Sequence, residues 1–400
     1  MLLALRLATP AARAQLPDST AASPSAPAPT QDLPGLLRAL RPGRRSRPAA
    51  GDSAARPARS RGLVVVPAVA YTLEARLLVS VTASTTFRRP AANQSVISNT
   101  ITYTQNRQAI LATTAALWTT GNRSLWLGDY RLLYYPQLTY GLGSDTRTDA
   151  AVAMNYYFLR LHQTYYRRVG RSPLYVGGGY RLDYRWHIES RAADGQRLAV
   201  IDGYGPGVAG SSVSSGVVAS VLRDARRNAL RPAAGETYLL LAVRANERAL
   251  GSDANYQLYQ FDARTYRRAG RMGNVLAFWL YGDFIRGPRA PYLDLPATGW
   301  DTYSVTGRGY IQGRFRGLSL LYGEAEYRFN LTRSRVLGGV VFANGQTVRD
   351  PAAGYVRVNP AGGAGLRLCL ARKSSTYLSV DYAVGIQGSQ GVFFNLGEVF

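Results

Sequence analysis

From residue 63 onward, apolar and polar residues alternate with the two-residue period of a β-strand. In residues 320–331, Ala325 and Phe329 share the apolar face, and Glu324 and Glu326 share the polar one. About sixteen segments with strand character are separated by turn or loop residues, and several exceed the roughly five or six residues usual in soluble sheets. The pattern therefore predicts an all-β protein. The predicted strands span 63–72, 76–88, 97–105, 108–119, 123–135, 151–168, 174–190, 212–224, 236–246, 256–268, 273–285, 318–331, 336–348, 362–372, 375–385 and 391–400.

Alternation alone fits a soluble sandwich with an apolar interior or a membrane barrel with an apolar exterior. The 27 tyrosines cluster near strand ends, as the aromatic girdles of a barrel do. In the last segment Val392, Phe394, Leu396 and Phe400 share the apolar face, which a barrel turns outward to lipid. The segment runs to Phe400, which we expect if it pairs with the first strand and leaves no free edge. We therefore predict an outer-membrane type, transmembrane antiparallel β-barrel of about 16 strands over residues 62–400, in contact with outer-membrane lipids.

The N-terminal segments indicate export. Residues 1–14 have a short apolar core followed by Ala12 and Ala14, a spacing that predicts a signal peptide. Residues 15–61 are rich in Pro, Ala and Arg, which predicts a disordered linker. Its arginines suit contact with anionic lipid headgroups or cell-wall phosphate, although a solvated basic tether is the simpler interpretation. We expect the protein in the bacterial outer membrane.

The net charge and the search for catalytic or metal-binding motifs do not alter the predicted fold and location. The net charge of +24 raises the question of nucleic-acid binding. However, the arginines are spread through tyrosine-rich strands and match no nucleic-acid motif, so no nucleic-acid partner is expected. No His or Cys cluster suggests a metal, no phosphate-binding loop suggests a cofactor, and residues 210–216 lack the spacing of a nucleophile elbow. We predict no cofactor, no metal and no enzyme activity.

Four stretches of sequence carry a family resemblance. The first is the C-terminal "FFNLGEVF", and the second is a strand-turn-strand block in 214–240. The third is "GRGYIQGRFRG", residues 307–317, at the end of a long loop spanning 288–317. The fourth is "LLYGEAEYRF" followed by "GGVVFANGQTV", residues 320–329 and 338–348. Taken in chain order, the four resemble the BamA/TamA superfamily of outer-membrane barrels, also called the bacterial surface antigen family. The matching positions are Asp224, Arg226, Asn228 and Gly235 in the block, Arg308, Gly309 and Tyr310 in the loop, and Phe394, Leu396, Gly397 and Phe400 in the closing strand.

The resemblance implies that the loop folds back into the lumen and is locked there by Arg308. A buried guanidinium needs a carboxylate, and Glu324 and Glu326 lie on the predicted lumenal face of the next strand. Glu326 matches the family's partner for this arginine. Asn344 stands where the family has a second acid. Because an amide cannot form an ion pair, we expect this arm of the lock to be weaker or replaced.

The resemblance also implies a function. Family members that insert proteins carry periplasmic domains before the barrel, whereas residues 15–61 have only low complexity. We therefore expect a barrel-only member that assembles or translocates outer-membrane proteins with separate periplasmic factors and unfolded outer-membrane proteins as partners. The alternative is a passive channel or structural barrel that has lost insertase activity, favoured if residues 288–317 leave the lumen open. An enzyme barrel is a lesser alternative, which would need a lumenal Ser-His pair.

Overall fold

The computed structural model describes residues 62–72, 75–226, 231–270, 273–287, 289–301, 304–332, 334, 336–371 and 376–400. The expected signal peptide 1–14, the expected linker 15–61 and Asn228 lie outside these residues. Eighteen strands form one sheet, and β6 and β9 are short extensions of it. The strands are β1 Gly62–Thr72, β2 Arg76–Arg88, β3 Gln94–Thr104, β4 Ala109–Trp118, β5 Ser124–Tyr134, β6 Gln137–Thr139, β7 Val152–Arg168, β8 Leu174–Arg191, β9 Arg197–Leu198, β10 Gly210–Asp224, β11 Thr237–Asn246, β12 Tyr256–Ala269, β13 Asn274–Arg286, β14 Ser319–Asn330, β15 Leu337–Val348, β16 Asn359–Ala371, β17 Thr376–Gly385 and β18 Gln390–Leu396.

The ladder is antiparallel throughout, and the long strands follow one another in chain order. The predicted segments coincide with these strands to within a few residues, so the all-β prediction is confirmed. Alternation sets the two faces as predicted. In β14, Tyr322, Glu324 and Glu326 are buried, whereas Leu321 and Ala325 are only half-buried. The inward face of the sheet is rich in charged and hydroxyl side chains, and most large exposed apolar side chains lie on the outward face.

The connections at the two ends of the barrel differ in length. Turns such as 169–173 join strands at one end, whereas the longer connections 192–209 and 287–318 lie at the other. Outer-membrane barrels place short turns on the periplasmic side and longer loops outside. Loop 287–318 does not extend into solvent, because Tyr292, Leu295 and Tyr310 are buried. We call residues 287–318 the lumen loop.

The first and last strands do not pair as the sequence suggested. β1 pairs with β2 and β18 pairs with β17, and β1 approaches β18. Within the described residues, however, no register joins β1 to β18. The prediction that the last strand pairs with the first and leaves no free edge is therefore wrong for this part of the chain. We call the place where β1 and β18 approach each other the seam. Among the described residues, β1 and β18 each have a ladder on one side only.

The predicted outward position of Phe400 is also wrong. β18 ends at Leu396, and Gly397 adopts a left-handed conformation with φ of 92° that turns the chain out of the sheet. Phe400 is fully buried and packs on Trp279, with ring centroids 5.3 Å apart. The predicted outward residue Val392 is exposed, whereas the side chains of Phe394 and Leu396 lie outside the described part of the structure.

Candidate lumenal lock

The lumen loop is attached to the barrel wall by Arg308. Its guanidinium is fully buried and reaches three carboxylates on two strands. Nη1 donates to Asp381 Oδ2 at 2.6 Å, Nε donates to Glu324 Oε2 at 3.4 Å, and Nη2 contacts both Glu324 and Glu326. The guanidinium carbon also lies 3.6 Å from the centroid of the Phe342 ring. A planar cation with five donors suits this arrangement, which a lysine could not reproduce.

The carboxylates around Arg308 are shared with two further arginines. Arg328 Nε donates to Glu326 at 2.6 Å, and its Nη2 donates to the carbonyl of Phe400 at 2.8 Å. Arg367 binds Asp381 and also donates to Glu398 at 2.8 Å. A continuous network of buried charges therefore joins the lumen loop to the residues that follow β18.

Gly309 and Tyr310 fit the backbone of the loop closely against the wall. Gly309 has φ of 105°, and a Cβ there would lie 2.7 Å from the Cβ of Ala361. The Tyr310 hydroxyl donates to the carbonyl of Pro360 at 2.6 Å and accepts from the amide of Ile386 at 3.1 Å. Burial raises the pKa of the Tyr310 phenol, which keeps it a donor. Both residues of the motif thus have a steric or hydrogen-bonding role.

Asn344 takes part in the lock without an ion pair. Its Nδ2 donates to the backbone carbonyl of Arg308 at 3.0 Å. The third carboxylate comes instead from Asp381 on β17, a residue that sequence reasoning did not single out. Its position on the polar face of an alternating strand was the available signal. In place of the expected second ion pair, Arg308 has a hydrogen bond from the Asn344 amide to its backbone and an ion pair with Asp381.

A second anchor, also missed from the sequence, holds the opposite side of the loop. Asp294 lies in the short 3-10 turn Tyr292–Asp294. Its carboxylate accepts from Arg185 Nη1 at 2.6 Å and from the Tyr256 hydroxyl at 2.9 Å, and it contacts the Ser214 hydroxyl. These partners lie on β8, β10 and β12, whereas Arg308 binds β14 and β17. The lumen loop therefore crosses the barrel. On one side its Arg308 binds acids of β14 and β17, and on the other its Asp294 binds Arg185 of β8.

The strand-turn block lies at the other end of the barrel from the entry of the loop. Arg226 binds Asp224 through two bonds of 2.8 Å, and its guanidinium carbon lies 4.2 Å from the centroid of the Tyr238 ring. Gly235 has φ of 93° and donates its amide to the carbonyl of Tyr266 at 2.8 Å. These contacts lie at the ends of β10 and β11, and no described residue of the block contacts Arg308.

Neither histidine forms a Ser-His pair among the described residues. His162 Nε2 lies 2.9 Å from Asp183 Oδ2 on the lumenal wall. His187 is exposed on β8, near the ring of Tyr157. The described part of the chain also has no helix long and apolar enough to span a bilayer.

Comparisons with known proteins identify the fold. No family model matches the sequence, and no curated protein matches it. BamA from Haemophilus ducreyi lacking POTRA domains 1–3 has a TM-score of 0.53 at 13% identity, over 84% of this chain and 70% of that one. CdiB from Acinetobacter baumannii has a TM-score of 0.52 at 12% identity, over 85% of this chain and 66% of that one. The chain thus has a BamA-like fold, an antiparallel β-barrel of the outer-membrane type.

Proposed function

We propose that this chain is a bacterial outer-membrane barrel of the BamA/TamA type that assembles or translocates outer-membrane proteins, together with separate periplasmic factors. The observation that carries the proposal is the buried lock between Arg308 and the three carboxylates of Glu324, Glu326 and Asp381. A plain channel has no need to fill its lumen with a loop held in this way. The similarity of the fold to BamA and CdiB supports the same function.

The seam supplies a mechanism for this function. β1 and β18 approach each other, and no ladder joins them among the described residues, so their facing edges are a candidate opening in the sheet. An unfolded client strand could pair with such an edge by β-augmentation, which needs no particular client sequence. Meanwhile the lumen loop would keep the barrel closed to solutes. We propose no enzymatic step, because pairing of strands provides the free energy of insertion.

A gated channel is the second candidate. A cavity of about 190 Å³ separates part of the lumen loop from the wall formed by β5 to β13. Arg160, Asp183 and Arg244 are among the residues that line it. A polar cavity beneath the loop would become part of a conducting path if the loop moved. In this candidate function the ion pairs of Arg308 hold the lumen loop in place and so keep the channel closed.

Planar-bilayer conductance and client insertion, measured on the same refolded protein, test the proposal. We expect a nearly silent wild type, an open Arg308→Ala variant, and faster insertion of a urea-unfolded outer-membrane protein into vesicles that contain the wild type. Arg147→Ala is the matched control, because Arg147 is 80% exposed and its described ion pair is with the exposed Asp149.

The outcomes separate the candidates. Faster insertion than in protein-free vesicles supports the assembly function. No acceleration, with and without a periplasmic extract, contradicts it. A silent wild type and an open Arg308→Ala variant would then favour the gated channel. Equal steady conductance of both variants would contradict the lock itself.

A further inference from the structure

Six arginines and six aspartates line the cavity beside the lumen loop, and they are not all paired with one another. Asp183 is shared by Arg160 Nε at 3.0 Å, His162 Nε2 at 2.9 Å and Arg244 Nη1 at 2.5 Å. Five other acids line the cavity: arginines bind Asp129, Asp262 and Asp294, whereas Asp283 accepts from Gln260 and Tyr281, and Asp301 accepts from Thr306. Arg181 lines the same cavity, and no described carboxylate lies within ion-pair distance of it. Arg181 therefore lines the cavity with no described ion pair, and Asp183 and Asp283 act on its charge only at longer range.

The registers of β8, β10 and β11 place a second polar group close to Arg181. Arg181 pairs with Gly216 of β10, and Gly216 pairs with Asn246 of β11. Gly216 has no side chain to separate the two, and a Cβ there would lie 2.8 Å from Asn246 Oδ1. Asn246 and Arg244 both line the cavity as well. Arg181, Arg244 and Asn246 thus form a group around one glycine, which we call the Gly216 cluster.

The Gly216 cluster has three buried donors and one buried acceptor that no described group satisfies. Arg181 Nε, Arg244 Nε and both polar atoms of the Asn246 side chain are buried and lack a hydrogen-bond partner among the described residues. Asn246 is fully buried. Buried polar groups are nearly always paired, because an unmet bond costs about 1–3 kcal/mol. Several unmet donors in one cavity indicate a place where a ligand supplies the acceptors.

We infer that the Gly216 cluster binds a small solute through a carboxylate or phosphate group. Guanidinium groups bind such oxyanions with charge-assisted hydrogen bonds, and an asparagine amide adds a neutral donor. A cation is disfavoured because Arg181 and Arg244 both face the site. The solute would lie between the barrel wall and the lumen loop, close to the Asp294 anchor on Arg185. This site does not depend on the proposed role in assembly.

Isothermal titration of the full, detergent-refolded barrel with inorganic phosphate tests the site, with acetate in a parallel titration at matched ionic strength. We expect saturable binding of one of the two anions to the wild type. Arg181→Gln keeps a polar side chain and should weaken that binding at least about tenfold, the effect of losing one charged hydrogen bond. Arg147→Gln, on the exposed loop, should bind as the wild type does. Heat-modifiable migration on a gel verifies that each variant is folded.

Each outcome is decisive. Tighter binding of phosphate identifies a phosphate-bearing solute, and tighter binding of acetate identifies a carboxylate-bearing one. Binding that Arg181→Gln leaves unchanged overturns the assignment of the Gly216 cluster. No saturable heat from either anion means that water alone satisfies these donors, which also overturns it. If Arg181→Gln does not fold, Asn246→Leu replaces it, with the same weakening expected.

Discussion

Arg308 Nη1 lies 2.6 Å from Asp381 Oδ2, although the two residues are 73 positions apart in the chain. This bond attaches the lumen loop to β17, the strand that pairs with β18. Asp381 also binds Arg367, and Arg367 binds Glu398 after the end of β18. The loop and the last strand therefore share one buried network, so a change at Arg308 should affect both the lumen and the seam.

The first prediction concerns the charge of Arg308. Arg308→Ala leaves three buried carboxylates without their shared cation, and removing one partner of a buried ion pair costs about 3–5 kcal/mol. We expect the free energy of unfolding to fall by that amount, measured by urea denaturation with tryptophan fluorescence. Arg147→Ala removes an exposed arginine and should change it by less than about 0.5 kcal/mol. Equal losses in the two variants would show that Arg308 does not hold the loop.

The sequence predicted which face of a strand a residue lies on better than it predicted which residue that side chain contacts. Glu324, Glu326 and Asp381 all lie on the polar face that alternation assigned to them. Alternation does not say which wall residues a loop meets when it crosses a lumen. That depends on the path of the loop, which is fixed by contacts such as Asp294 with Arg185 that are distant in sequence. For this reason Glu324 and Glu326 were foreseen as partners of Arg308, whereas Asp381 and Asp294 were not.

The second prediction restores the acid that the family resemblance led us to expect. Asn344→Asp removes the Nδ2 donor to the carbonyl of Arg308 and adds a carboxylate beside Glu324. We expect a loss of about 1–3 kcal/mol in the free energy of unfolding, because a buried acceptor loses its donor. Asn344→Ala removes the same bond without adding charge, so the difference between the two variants isolates the effect of the charge. A gain in stability for the aspartate would mean that Arg308 has room for another acid.

The third prediction separates backbone fit from charge. At Gly309, with φ of 105°, an added Cβ would meet Ala361 at 2.7 Å. Gly309→Ala should therefore push the loop off the wall and raise bilayer conductance while Arg308 remains. At Gly354, with φ of 75°, a Cβ would meet nothing within 4 Å, so Gly354→Ala tests left-handed strain alone. Conductance that rises equally in both variants would rule out close packing at Gly309 as the cause.

The fourth prediction tests the second anchor. Asp294→Asn keeps the size of the side chain but leaves the Arg185 guanidinium buried without its carboxylate. If the two anchors hold opposite sides of one loop, the double variant with Arg308→Ala should conduct more than either single variant. The same double-mutant comparison in urea should show an interaction above about 0.5 kcal/mol, the limit for independent sites. Strict additivity would mean that the two anchors act separately.

The fifth prediction decides between two positions for the chain end. Alternation placed Phe400 and Val392 on the same outward face, and that holds only if β18 continues to the last residue. In the structure Gly397 ends this pattern, and Phe400 is buried against Trp279 while Val392 is 42% exposed. Phe400→Ala should therefore cost about 3–5 kcal/mol through loss of packing.

Backbone bonds are not the cause of that cost, because the carbonyl of residue 400 still accepts from Arg328 in the variant. Val392→Ala, which removes lipid contact only, should cost less than about 1 kcal/mol. Trp279 provides a direct readout, since losing the Phe400 ring should shift its fluorescence to longer wavelength. Similar small losses in both variants, with unchanged fluorescence, would place Phe400 back in an outward strand. That result would also separate the chain end from the Arg308 network, because Arg328 would then have no carbonyl of residue 400 to bind.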